Sequence, residues 1–327
     1  MENKPKVYFR ADGNSEIGLG HVIRSLALAE MLKNDFECYF IIREPIPTLK
    51  EQIVNICVGI MELRETDNSV LEAEKLTTLI KSGEIIVLDG YHFITAYQNE
   101  FKKKSVKVVC IDDIHAYHFV ADVVINHSGG LSELNFSKEK YTAIYHGLEY
   151  ALLRKPFRIA AQNRTYHNKV SESIFICFGG ADPKNDTLDA IKKCENAKNF
   201  DKYFVVLGSA YQYRNLLEAY IQDSHLDVEV LSDLSAQAMA DIMQQCNYAI
   251  TPPSSVAYEY LSTGGVLFLK VIADNQANMY DYFIKEGIAF PLSSLGKVAP
   301  KKSNFEKQSF FFDGKQSGRL TEIFKQL

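Results

Sequence analysis

Gly18, Leu19, Gly20 and His21 stand between a short apolar run and a helical pattern, in the stretch RADGNSEIGLGHVIRSLALAEML at residues 10–32. A glycine pair between strand and helix is how a dinucleotide loop begins. Here the residue three after Gly20 is Ile23, so the third glycine of that fingerprint is missing, and no acidic residue closes a clean strand about 20 residues later. Two readings remain for the glycines: a tight turn with close helix packing, or a turn that holds His21 over a reacting group. His21 would sit in the first turn of a helix, a place that suits a neutral imidazole acting as a base at pH 7. Tyr91, just beyond Asp89 at the end of another apolar run, would face the same side of the sheet.

The second half repeats the pattern. FGGADPKND (178–186) places Gly179 and Gly180 after a strand, and its Asp-Pro-x-Asn turn, ending in Asn185, can open a helix whose free amides suit an anion. AITPPSSVAYEYLSTGG (249–265) sets Ser254 and Ser255 at another helix start. They read as an N-cap or as a pyrophosphate site, with Glu259 one turn along on the same face, placed to accept hydrogen bonds from the sugar hydroxyls of a nucleotide. DNQANM (274–279) offers the carboxamides of Asn275 and Gln276. Asp112, Asp113, His115 and His118 could be drawn as metal ligands, but their order fits no standard zinc spacing and reads as a polar loop, so no metal is expected. With neither G-x-S-x-G nor a reactive cysteine motif, nothing suggests a covalent nucleophile.

These residues need a scaffold, and the chain supplies one twice. Apolar, β-branched or aromatic runs recur at 7–11, 38–43, 84–89, 106–112, 122–127 and 142–147, and again at 174–180, 203–208, 228–233, 248–253 and 265–271. Near-continuous apolar strands are buried on both faces, and their alternation with helical patterns such as GHVIRSLALAEMLKN and SVLEAEKLTTLIKSG implies parallel sheets. The expected fold is α/β, two Rossmann-like domains facing a cleft, with ligands at the carboxyl ends of the strands. The expected boundaries are residues 1–157 for an N-terminal domain carrying His21, a linker over 158–172, and 173–327 for a nucleotide-binding domain whose last helix is free to pack back on the first.

The 327 residues suit two such domains, and 46% apolar with 24% charged residues describes a folded chain. A formal charge of −5 argues against nucleic acid. The N-terminus lacks a leader-like apolar core and no run approaches the ~20 residues of a membrane span, so the expectation is no membrane insertion and a cytoplasmic location. Six scattered cysteines without a C-x-x-C pair read as reduced core thiols.

In order along the chain, RADGNSEIGLGHVIRSLALA, LDGY, IDD, VIN, YALLRKPF, FGGADPKN, SSVAYEYL, NQ and FDGKQSGR resemble the PseG/SpsG-type nucleotide-sugar hydrolases of pseudaminic acid biosynthesis, over nearly the whole chain. That resemblance implies the glycosyltransferase B (GT-B) architecture, related to the MurG glycosyltransferase. It also implies hydrolysis of UDP-2,4-diacetamido-2,4,6-trideoxy-β-L-altrose to UDP and free sugar, by inverting cleavage of the anomeric C–O bond without metal or other cofactor. On it, His21 is the base that activates water, with Tyr91 nearby. Glu259 holds the nucleoside, and Asn275 and the Ser254/Ser255 helix start lie near the diphosphate or sugar. Asp12, Gly18, Gly20, Gly179, Gly180, Asn185 and Gln276 complete the substrate-binding set. HSGGLSELNFSKEKY after VIN, and Thr251-Pro252-Pro253, depart from the family pattern, which leaves open the sugar and its fate. The alternatives are a GT-B glycosyltransferase with a UDP-sugar donor and a nucleotide-sugar-binding protein without turnover.

Overall fold

The computed structural model describes residues 4–13, 18–64, 68–164, 172–197 and 200–327. The chain divides into two units, Met1–Leu153 with Lys315–Leu327, and Arg154–Gly314.

In the first unit the strands are β1 (Lys6–Ala11), β2 (Glu37–Arg43), β3 (Gly59–Leu63), β4 (Ile85–Asp89), β5 (Lys107–Ile111), β6 (Val123–Asn126) and β7 (Ala143–His146). They form one sheet in the order β3-β2-β1-β4-β5-β6-β7, every neighbouring pair parallel. The helices are α1 (Gly20–Leu32), α2 (Pro47–Ile56), α3 (Ser69–Leu76) and α4 (Thr95–Lys103). One face of the sheet packs Val7, Phe9 and Phe40 with Val22, Leu26 and Ile53 from α1 and α2. The other packs Ile86, Leu88 and Val108 with Ala73, Tyr97 and Phe101 from α3 and α4. Burial from both sides is why these strands are apolar without alternation.

Two local expectations are corrected. β3, GIMEL, is an edge strand with no fully buried residue, so it lacks the apolar run that marked its neighbours. The helix expected through SVLEAEKLTTLIKSG ends at Leu76. Thr77 and Thr78 turn their hydroxyls back on the Glu74 and Lys75 carbonyls, each at 2.7 Å. Such local bonds compete with helix continuation.

The second unit opens with α5 (Lys155–Asn163), so residues 158–163 of the segment read as a linker are helical, and 165–171 lie outside the described residues. It continues through β8 (Ser173–Ile176), α6 (Asp186–Ala197), β9 (Lys202–Leu207), α7 (Arg214–Asp223), β10 (Val228–Ser232), α8 (Ala236–Gln245), β11 (Tyr248–Thr251) and α9 (Ser255–Thr263). β12 (Val266–Leu269), α10 (Ala277–Glu286), β13 (Phe290–Pro291) and α11 (Lys302–Phe311) complete it. Its sheet, β10-β9-β8-β11-β12-β13, is again wholly parallel. The last helix, α12 (Gln316–Lys325), belongs to the first unit, where Phe324 meets Phe36 with ring centroids 6.1 Å apart and Leu320 and Ile323 join the α1 core.

In both sheets the strand order reverses once, between β1 and β4 and between β8 and β11. A parallel sheet opens a crevice at the carboxyl ends of the strands flanking such a reversal, because the crossovers on either side lead to opposite faces. His21 follows β1 and Tyr91 follows β4; Gly179 and Gly180 follow β8, and Ser254 and Ser255 follow β11. All six cysteines are buried as free thiols. No described helix is long and apolar enough to cross a membrane.

Candidate active site

In the first unit the turn before α1 needs glycine at position 18, where φ is +78°, whereas Gly20 already belongs to the helix. His21 in the first turn of α1 and Arg24 one turn on share a face, and both reach Asp89 at the end of β4. His21 Nδ1 lies 2.8 Å from Asp89 Oδ1, and Arg24 Nε donates to Asp89 Oδ1 and Oδ2 at 3.0 and 2.8 Å. Ser25 Oγ donates to Oδ2 at 3.0 Å. Asp89 is fully buried. Burial pushes its carboxyl up, but the Arg24 charge and the hydrogen bonds from His21 and Arg24 outweigh burial and hold it below the usual carboxylate range.

That charged carboxylate decides the histidine tautomer. Arg24 Nη2 is also 3.0 Å from His21 Nδ1, but a bare nitrogen lone pair facing a carboxylate oxygen at 2.8 Å would be repulsive. The charge-assisted Nδ1–H···Asp89 bond therefore wins, and the neutral ring keeps its free lone pair on Nε2. Tyr91 sets its ring edge-on to His21, centroids 4.9 Å apart and planes at 86°, and its hydroxyl lies 3.4 Å from Asp113 Oδ2. Arg24 Nη1 donates to that same oxygen at 2.8 Å. His21, Arg24, Asp89, Tyr91 and Asp113 thus form one cluster from three segments of the chain. It can take a proton at His21 Nε2 and share the resulting charge.

The other polar residues of the loop after β5 have separate partners. Asp112 accepts from the His115 amide at 2.8 Å, and His118 faces Ser137 and Glu139 at 2.9 and 3.1 Å. Asp12 is chelated by the fully buried Arg10, at 2.5 and 2.7 Å, and accepts from the Arg43 amide at 2.9 Å. Arg10 continues to the buried Glu72 at 2.8 Å, which also takes bonds from Arg43 and Tyr97. Asp12 is thus tied into a buried ionic network joining β1, β2 and α3.

In the second unit the two helix starts differ. The expected free amides at α6 are taken: Asp182, at φ +43°, accepts from the Asp186 and Thr187 amides at 2.8 and 2.9 Å. A carboxylate already fills the anion position there, and Asp186 and Asp189 add negative charge to the same turn, so that expectation is corrected. At α9, Ser254 is the N-cap residue but makes no side-chain capping bond, and Ser255 is exposed. Uncapped first-turn amides are the arrangement that receives a phosphate.

Glu259, buried on α9, is held by both nitrogens of an Arg154 fork at 2.6 and 2.8 Å, and Arg154 lies over the Phe157 ring at 5.1 Å. The exposed Gly179, at φ +83°, and Gly180 form the loop after β8, while Asn185, at φ +56°, accepts from the Tyr211 hydroxyl at 2.5 Å. Gln276 accepts from the Ile272 amide at 2.9 Å, and Asn275 beside it is exposed.

The loop after β9 touches the glycine loop so closely that a Cβ at Gly208 would enter the Gly180 backbone. Gly208→Ala is therefore expected to cost about 1–3 kcal/mol and to lower Tm by about 3–10 °C in a thermal melt. An unchanged melt would mean that the two loops are not packed this way in solution.

Reasoning from sequence missed Arg24, Asp89 and Arg154. Arg24 carried a signal, as a charged residue one helical turn from His21 on a mostly apolar helix, and Asp89 another, as the carboxylate ending an apolar strand. Arg154 lies 105 positions from its partner Glu259, and no local pattern links them.

No family model matches the chain. It is 26% identical over 325 residues to an uncharacterized protein of Methanocaldococcus jannaschii, covering 95% of this chain and 63% of that protein, so it spans less than two thirds of that relative. It is 26% identical over 288 residues to the UDP-2,4-diacetamido-2,4,6-trideoxy-beta-L-altropyranose hydrolase of Campylobacter jejuni, covering 86% of this chain and 97% of that one. The spore coat polysaccharide biosynthesis protein SpsG of Bacillus subtilis is 26% identical over 301 residues, covering 90% and 85%. The resemblance to the PseG/SpsG-type proteins thus extends over most of the chain. Among solved structures, MurG of Acinetobacter baumannii has a TM-score of 0.61 at 13% identity over 99% of this chain and 100% of that one. The calicheamicin glycosyltransferase CalG4 has a TM-score of 0.64 at 10% identity over 100% and 98%. The fold is the GT-B architecture.

Proposed function

We propose that this chain is a nucleotide-sugar hydrolase that splits a UDP-linked diacetamido-trideoxyhexose into UDP and free sugar. The observation that carries the proposal is the His21–Asp89 pair at the strand-order reversal of the first sheet, a histidine whose tautomer leaves Nε2 ready to accept a proton. Likeness to the Campylobacter jejuni hydrolase over 86% of the chain supports the substrate class.

On this reading a water oxygen attacks the anomeric carbon while His21 Nε2 takes its proton, and the C–O bond to UDP breaks with its electron pair leaving on the diphosphate. Attack opposite the leaving group inverts the anomeric centre. The uncapped first turn of α9, with Ser254 and Ser255, neutralises the departing charge through its amides. Glu259, oriented by the Arg154 fork, with the exposed Gly179 and Gly180 and the exposed Asn275 beside Gln276, holds the nucleotide. UDP is already a good leaving group, so the reaction as proposed uses neither general acid nor metal nor covalent intermediate. Gly18 lets the turn present His21, Gly20 opens the helix just before it, and Asp12 is tied by Arg10 at the end of β1.

A second reading is favoured by the fold itself, since MurG and CalG4 are glycosyltransferases: an acceptor hydroxyl would then replace water. Incubation with the UDP-sugar alone separates the two. The hydrolase is expected to release UDP at a steady rate with one free sugar per UDP. A transferase would stay nearly idle until an acceptor was added, and tight UDP binding in calorimetry without release from any sugar would mark a binding protein.

A further inference from the structure

The groups around His21 set a charge balance that its own contacts do not. From α1, Arg24 brings one positive charge and Ser25 a hydroxyl; from β4 come the Asp89 carboxylate and, just beyond it, the Tyr91 hydroxyl. The β5 end brings Asp113, held by Arg24, and Asp112, which is turned to the His115 amide and whose carboxyl burial pushes up. The β6 end brings His127, which burial and then Arg24 push down to about 4, so it stays uncharged at neutral pH. Asp12 pairs with Arg10, and His92 stands beside it.

An imidazolium at His21 would have the Arg24 guanidinium 3.0 Å from its Nδ1. Asp89 offsets that one positive charge and no more. We infer that Asp113 supplies the excess negative charge that stabilises protonated His21, acting through Arg24 and Tyr91, which makes it a positioning residue of the base. With Asp113 ionised the cluster goes from one net negative charge to zero when His21 takes a proton. Without it, the same step would create an uncompensated positive charge in a largely buried site.

The inference rests on the proposed role of His21 as base, and the geometry provides a clean test. Asp113 Oδ1 is buried with no hydrogen-bond partner among the described residues, while Oδ2 takes both Arg24 and Tyr91. Asp113→Asn can therefore keep its oxygen toward Arg24 and place the amide nitrogen where no bond is lost, removing the charge alone. The first readout is the imidazole titration of His21 followed by NMR, its signal identified by its loss in a His21→Phe sample. Its midpoint is expected to fall by about one pH unit in Asp113→Asn and to return in Asp113→Glu, which restores the charge. The second is turnover of the UDP-sugar: kcat is expected to drop by up to about 10-fold, the most that one pH unit of base strength can cost, with KM unchanged and the acidic limb of the rate profile moved to lower pH.

An unchanged His21 midpoint in a folded Asp113→Asn protein overturns the inference, whatever the activity. A shifted midpoint in a protein that releases no UDP from any sugar keeps the inference about the cluster and overturns the hydrolase reading. A kcat loss with no shift in either titration or rate profile assigns Asp113 a merely structural role.

Discussion

His21→Phe is expected to lower kcat for UDP-sugar hydrolysis by about 10²–10⁴-fold, the usual contribution of a positioned general base. That corresponds to about 3–5 kcal/mol of barrier. The fold should survive the change, for reasons visible around the side chain. A phenyl ring keeps the edge-on contact with Tyr91, and Asp89 keeps Arg24 and Ser25, so no buried carboxylate is left bare. UDP affinity is expected to stay within about twofold of the parent protein, because the groups assigned to the nucleotide belong to the second unit. Steady-state release of UDP alongside calorimetric UDP titration checks both halves, and retained turnover in this variant would remove His21 from the mechanism.

Asp89→Asn should be nearly as damaging to turnover and more damaging to the fold. Every bond that Asp89 makes is accepted by its oxygens: from His21, from Arg24 and from Ser25. Wherever the amide NH₂ goes, it meets a donor. Turned to His21, it forces Nδ1 to accept and moves the ring proton to Nε2, the atom that must receive the water's proton. In a serine protease triad the equivalent Asp→Asn exchange costs about 10⁴ in kcat by this route, and a loss of about 10³–10⁴ is expected here. Turned to Arg24, it leaves a buried guanidinium with only Asp113 as counter-charge. Breaking a buried ion pair costs about 3–5 kcal/mol, and the retained Asp113 places this case near the lower end. Chemical denaturation gives the stability term and turnover at temperatures well below the melt gives the catalytic one. Normal kcat in a folded Asp89→Asn protein would contradict the tautomer argument.

Much of this arrangement is legible in the amino-acid sequence alone. The eleven apolar runs correspond to eleven of the thirteen strands: the inner strands, covered on both faces, must be apolar throughout, and of the four edge strands β7 and β10 are apolar enough to be read while β3 and the two-residue β13 are not. β3 escapes because an edge strand carries no such requirement, and α3 is shorter than its pattern suggests because Thr77 and Thr78 satisfy carbonyls that further helix would have used. The first turn of α6 misleads for a related reason: FGGADPKND looks like an anion turn until the Asp182 carboxylate is seen to occupy it.

His21, Tyr91, Ser254 and Ser255 are legible as residues, since each follows an apolar run at a point where a helix or loop begins. The sequence by itself determined two parallel α/β halves and the strand ends at which chemistry could occur, because burial and chain direction are written in local composition. Which strand ends are neighbours was decided only in three dimensions. Pairing β1 with β4 brings Asp89 to His21 across 68 positions, and pairing β4 with β5, then β5 with β6, brings Asp113 and His127 into the same cluster. Hydrogen bonding and charge balance act over a few ångströms of space regardless of separation along the chain. The reactive atom, its tautomer and its counter-charge therefore belong to the tertiary structure.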